Sequence, residues 1–175
     1  NVTVKLERDA VGQVVKEWQN DAWIASRYDE VGNRLQMTSS FGAAIDVARN
    51  PLGYATQLTA AQKEQNPWTA RMQYNELGQE IERMLPGEVL SQWQYDSTGR
   101  PTNHRISSHQ RFTRRRAYQW GANHRLKGIV NELTGVRTAF GYDEFSNLVW
   151  SNQGGQFDFL HRSVDDVGNL YETKD

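Results

Sequence analysis

Four histidines, one pair of adjacent aspartates and an arginine-rich stretch are the residues of this 175-residue chain whose types could do chemistry. A metal site or a general base would draw on His104, His109, His124 or His161. His104 and His109 stand five apart, which on a strand places them on opposite faces and gives poor metal-ligand spacing. Asp165 and Asp166 could share acid and base roles, but both fall in a turn motif where an aspartate has a backbone task. The sequence holds no Gly-rich phosphate loop, nucleophile elbow or HExxH pair. It has no cysteine, which excludes a thiolate metal site and a disulfide framework. No catalytic residue, metal or cofactor is expected, and the chain does not read as an enzyme.

The basic stretch has more to offer. Between Ser97 and Asn131 lie eight Arg and Lys and no acid, which leaves the rest of a chain of net charge -1 at −9. Charge segregated in this way can steer an acidic partner. Arg111, Arg114, Arg115 and Arg116 form the candidate patch. A strand would split it, with Arg114 and Arg116 on one face and Arg115 on the other. Arginines also blunt the edges of exposed sheets. Nucleic acid is not an expected partner.

The elements that must position these residues announce themselves by repetition. Asp or Asn followed three residues later by Gly would occur roughly twice by chance, whereas fixed-period excess marks a repeat architecture. The pairs that keep step are Asp9/Gly12, Asp29/Gly32, Asn50/Gly53, Asn75/Gly78, Asp96/Gly99 and Asp165/Gly168. Asn152/Gly155 falls off the beat. Two degenerate copies fill the gaps, "WGANHRL" beginning at Trp120 and "YDEFSNL" with Tyr142 and Asp143. The ladder positions are 9, 29, 50, 75, 96, 121, 143 and 165. Tyr28, Tyr74, Tyr95, Trp120 and Tyr142 each stand immediately before a ladder position.

Midway between ladder positions lie further turn residues: Asn20-Asp21, Gly42, Asn66-Pro67, Gly87, Ser107-Ser108, Gly135 and Gly154-Gly155. Two turns per repeat leave two short strands per repeat, sixteen in about eight repeats. The intervening segments alternate as strands do. Trp68, Ala70, Met72 and Tyr74 share a face, as do Val89, Ser91, Trp93 and Tyr95, and Val136, Thr138, Phe140 and Tyr142. Residues 60–85 also contain good helix formers, but Pro67 and Gly78 interrupt them and the ladder runs through in step. Strand is the reading there too. The ladder Asp should turn its carboxylate onto backbone N–H groups, the Gly should take the left-handed conformation, and Tyr28 should stack on the equivalent Tyr of the next hairpin.

"YDEVGNRL" at 28–35 and "YDSTGR" at 95–100 resemble the YD repeat of Rhs-type proteins, found in bacterial Rhs toxins, the B and C components of insecticidal toxin complexes, and teneurins. The resemblance covers essentially the whole chain. "RDAVGQVV" lacks the Tyr, "RNPLGY" has Asn-Pro, and "WGANHRL" keeps neither Asp nor Gly in register. The resemblance implies an all-β fold, with antiparallel hairpins forming a long strip that spirals into a hollow shell around a C-terminal toxin. It implies a secreted or exported bacterial polymorphic toxin of interbacterial competition, with this chain as wall. Its partners would be the remaining repeats, the toxin domain of the same polypeptide and a component of the secretion apparatus. The family's Asp-Pro cleavage site is missing, and "RNPLGY" at 49–54 reads as a turn. The alternative is a carbohydrate-binding module that offers exposed Tyr and Trp, as in adhesion.

Composition fits either reading. Mean hydropathy is -0.79, yet six Trp, seven Tyr and six Phe argue against disorder. No apolar run approaches the roughly 18 residues of a membrane helix, and the first ten residues carry no signal peptide. The chain reads as a single array over residues 1–175, excised from a longer polypeptide. Asn1-Val2-Thr3 is formally a glycosylation sequon.

Overall fold

Short strands rich in Val, Thr, Trp and Tyr, punctuated by Gly and Asx turns, fold as the alternation requires. The computed structural model describes residues 2–155, 159–165 and 167–172. Asn1 of the sequon and Asp166 of the aspartate pair lie outside the described residues.

The chain divides into two compact units, residues 1–89 and 90–175. The first carries β1 (Val4–Arg8), β2 (Val14–Gln19), β3 (Ala22–Tyr28), β4 (Arg34–Ser39), β5 (Ala43–Arg49), β6 (Ala55–Gln62), β7 (Trp68–Tyr74) and β8 (Glu80–Leu85). The second opens within β9 (Val89–Tyr95), whose first residue closes the first unit, and continues through β10 (Pro101–Ser108), β11 (Arg111–Trp120), β12 (Leu126–Asn131), β13 (Arg137–Tyr142), β14 (Leu148–Asn152), β15 (Phe159–Val164) and β16 (Leu170–Glu172). Within each unit the strands lie in sequence order and pair antiparallel with their chain neighbours. The chain is all-β. The segment with helical composition is strand, turn and strand, because β6, β7 and β8 each find an antiparallel partner that a lone helix would lack.

In the first unit, residues directly opposite one another set two unlike faces. Leu6, Ile24, Met37, Ile45, Val47, Leu58 and Met72 line one, through pairs such as Met37↔Ile45, Val47↔Leu58 and Leu58↔Ala70. The other is polar: the Gln36 amide donates to Asp46 at 2.6 Å and the Gln73 amide to Glu82 at 3.2 Å. Lys16 sits over both Trp18 and Trp23, at 4.2 and 4.3 Å from the ring centroids. Burial is slight throughout. Ala70 and Met72 are the only hydrophobic residues buried among those described, and His104 the only polar one.

The two kinds of turn differ. At ladder corners the strand pairs shift register by one residue, as between Glu7 and Arg8, Arg27 and Tyr28, Gln73 and Tyr74, and Gly141 and Tyr142. This is a tight turn followed by a bulge, the arrangement in which a residue in the left-handed region ends the turn. Turns at the other strand ends fall near the positions read from sequence, with one correction. Ser107 and Ser108 complete β10, and the chain turns at His109 and Gln110, whose φ angles are 47° and 63°. Serine is a weak turn signal, and two successive residues of positive φ make the tight turn that suits strand twist.

Gly78 shows why a corner needs its glycine. Its φ is +76°, and a Cβ there would run into the Tyr54 ring, whereas a Cβ on Gly12 would meet open space. We expect Gly12→Ala to cost about 1–2 kcal/mol from backbone strain alone, and Gly78→Ala to cost more. Combining Gly78→Ala with Tyr54→Ala should bring the added cost of the alanine back to the Gly12 level. Urea unfolding of these three variants, with Tyr54→Ala alone as the reference for the double, checks this.

Candidate functional site

The repeated corner is the feature to which most of the sequence's special residues belong. At Asp29, one carboxylate oxygen accepts the N–H of Val31 at 3.1 Å and of Asn33 at 2.7 Å. The same pair of bonds recurs at Asp9, Asn50, Asn75, Asp96 and Asp165, and at Asp143 the oxygen accepts from Asn147 at 2.8 Å. The backbone closes the same turn: the N–H of the ladder residue donates to the carbonyl four residues on, and that of the left-handed residue donates back, as in Asp29–Asn33 and Gly32–Asp29. The left-handed residue is Gly12, Gly32, Gly53, Gly78, Gly99 or Gly168 in the regular copies.

The degenerate copies keep the geometry with other residues. Ser146 takes the left-handed position after Asp143, with φ 74°. At the sixth corner Gly121 stands in the acid's place, a single 3-10 turn spans Ala122–His124, and Asn123 and His124 both have positive φ. The Gly121 N–H still donates to the Arg125 carbonyl at 2.8 Å. Asparagine replaces aspartate without loss because a neutral amide oxygen accepts the same N–H groups.

Corners are also tied to one another, by a bond that the sequence does not display. The Tyr28 hydroxyl donates to the Val14 carbonyl at 2.9 Å, five residues past the preceding ladder position. Tyr74 reaches Ala55 at 2.8 Å, Tyr142 reaches Leu126 at 3.0 Å, and the Trp120 indole reaches Pro101 at 2.7 Å. Arg49, where the aromatic is missing, makes the equivalent bond to the Arg34 carbonyl at 3.2 Å and also holds the Gly53 carbonyl at 2.8 Å. Side chains four residues past a ladder position lean onto the next corner: Tyr54 stacks on Tyr74 at 5.1 Å, and Arg100 and Arg125 lie over Trp120 and Tyr142. The expected Tyr28 stack is thus replaced by a hydroxyl–carbonyl bond, with Arg34 over the Tyr28 ring at 5.6 Å.

Hydrogen bonding holds the Asp29, Asp96, Asp143 and Asp165 carboxylates in their charged form. The Asn33 side-chain amide, with the N–H groups of Asn33 and Val31, keeps Asp29 below its ordinary range. Asn147 and Asn169 do the same for Asp143 and Asp165. Asp96 is depressed furthest, by the Arg100 N–H first and then by the Thr98 and Arg100 side chains.

The other cluster surrounds His104, which is 7% exposed on β10. Its Nε2 and the Ser91 hydroxyl share a 3.0 Å hydrogen bond, and its ring stacks on Trp93 at 3.7 Å and 4°. Burial, then Arg114 and Arg116, push His104 below its ordinary value. A Ser–His catalytic pair needs a group that raises imidazole basicity, and two guanidiniums do the reverse. His104 is a neutral packing residue. His109 lies in a turn, His124 in the 3-10 turn and His161 on β15, so topology gives the four no shared site. Arg115 points away from Arg114 and Arg116 and lies 3.2 Å from Glu132, while Arg111 is exposed at the start of β11.

Sequence reading passed over one more row. Two residues past the ladder position stand Val11, Val31, Leu52, Leu77, Phe145 and Val167, all strongly exposed. Their apolar type at a fixed offset was the available signal.

No family model and no curated protein matches the sequence. Solved structures do match. A TcdB2–TccC3 crystal structure superposes with a TM-score of 0.77 at 15% identity, covering 95% of this chain and 11% of that one. The Photorhabdus luminescens Tc holotoxin pore, with a TccC3 point mutant, gives 0.77 over 97% of this chain and 11% of that chain, again at 15% identity. The complex TcdB2–TccC3–Cdc42 gives 0.76. The chain has the YD-repeat fold. It spans about a tenth of the length of the chains it matches, and at this identity the likeness is one of fold.

For a YD-repeat corner capped by carboxylate, the pH dependence has a definite sign. Aspartates depressed in the folded state add stability that is whole above about pH 4 and is lost as pH falls through the lowered folded values. Replacing Asp29, Asp143 and Asp165 together by Asn, which Asn50 and Asn75 already show to fit, should leave the pH 7 melting temperature within about 2 °C and weaken the drop toward pH 3. Asp29→Ala, which deletes the acceptor, should lower it at pH 7 by roughly 2–4 °C. Thermal melts at both pH values check this.

Proposed function

We propose that this chain is a non-enzymatic wall segment, a single array of about eight repeats over residues 1–175 within a longer polypeptide. The carrying observation is that seven Asx-capped corners repeat one hydrogen-bond pattern while almost no side chain is buried. A sheet whose strands are fixed at their corners does not need a second layer to hold its form, which suits it to enclosing something. In this reading the wall belongs to an Rhs-type β-shell of an exported bacterial toxin. It sequesters a C-terminal toxin domain until delivery, and its partners are the remaining repeats and that domain.

The carbohydrate-platform reading needs free aromatic faces. Trp93 is covered by His104, Trp18 and Trp23 by Lys16, and Trp150 lies over Gly141 against Phe159. Those contacts favour a wall over a sugar platform.

Mild proteolysis of the natural full-length polypeptide, followed by intact-mass spectrometry, tests containment. The region C-terminal to the repeats should survive and co-elute with them until denaturant is added. Its digestion while residues 1–175 remain intact would contradict containment.

A further inference from the structure

Arg114 and Arg116 share one face of β11. Arg116 pairs directly with His104 on β10 and with Asn131 on β12, and Arg114 pairs with Ile106, so both guanidiniums rise from one face. The sequence from Ser97 to Asn131 offers them no acid. Arg115, on the opposite face, has Glu132, and Arg100 has Asp96 at 2.7 Å. Edge protection does not explain Arg114 and Arg116, because β11 is paired on both sides, to β10 and β12. Beside them Trp93 stacks on His104 and on Tyr118, and the Ser91 hydroxyl shares a hydrogen bond with the His104 ring.

Spacing identifies the ligand. Residues two apart on a strand project to one side about 6.8 Å apart. An extended peptide presents alternate side chains at the same interval, so acids at alternate positions meet the two guanidiniums in step, each in the bidentate geometry that arginine favours. We propose that Arg114 and Arg116, beside the Trp93–His104 stack, form a binding site for an extended acidic peptide segment with carboxylates at alternate positions. The site stands independently of containment.

The test is fluorescence anisotropy on this chain with two labelled eight-residue peptides of equal charge. One has glutamate at alternate positions, and its isomer has the four glutamates in one block. The alternating peptide should bind at least about tenfold tighter, a margin of the size that one well-made charge-assisted pair gives. The double variant Arg114→Gln/Arg116→Gln should lose about tenfold, and Arg115→Gln should stay within about twofold. Equal binding of the two isomers to the unaltered protein would overturn the proposal without any variant needing to fold. So would equal losses for Arg115→Gln and the double variant, or displacement of the peptide by inorganic phosphate at matched charge.

Discussion

One side-chain oxygen accepting two backbone N–H groups is the interaction on which the fold depends. It satisfies donors that a turn would leave to water, and it fixes the next four residues so that both strands leave the corner in register. At Asp29 this places Tyr28 and Arg34 opposite each other across the bulge. From there Tyr28 reaches the Val14 carbonyl of the preceding corner. Local turn and inter-repeat link are one device, because the cap aims the aromatic residue that makes the link. Each net hydrogen bond contributes only about 0.5–1.5 kcal/mol, so cohesion comes from repetition and not from any single corner.

This explains how a chain with so little buried surface holds its strands. Ordinary domains gain stability by covering an apolar face with a second layer. Here the strands contact chiefly their chain neighbours, as in other repeat proteins, where stability is a sum over units and their interfaces. Specificity for register, which a core would supply, comes instead from corners: a one-residue slip would break the cap, the bulge and the tyrosine bond together.

The fold was legible because the corner is written in few letters. Asp29 and Gly32 carry a turn and a left-handed residue that period and residue type expose, whereas the Tyr28 link to the Val14 carbonyl took the place of an expected ring stack. Strand alternation decided residues 60–85 against their helix-forming composition. Less legible were interactions between residues far apart in sequence. That Arg49 stands in for tyrosine at the Arg34 carbonyl, or that Ser91 bonds His104, depends on which strands pair and in what register. The turn at His109-Gln110 escaped because neither residue is a strong turn former in the way Gly, Pro, Asn or Asp is, and the hairpin imposes its positive φ angles. Splitting of the arginine run was readable from the two-residue period. The pairing of Arg115 with Glu132 required the three-dimensional neighbours.

Hydrogen exchange at the corner amides tests the central claim most directly. Val31, Leu52, Leu77 and Val167 are 83%, 75%, 71% and 82% exposed, yet each N–H is bonded to its ladder Asp or Asn. If the caps hold the corners, these amides exchange at least about tenfold slower than in free peptides of the same sequence. Exchange at the free-peptide rate, with the strand amides still protected, would show that the corners are ordinary loops and that something else holds the repeats together.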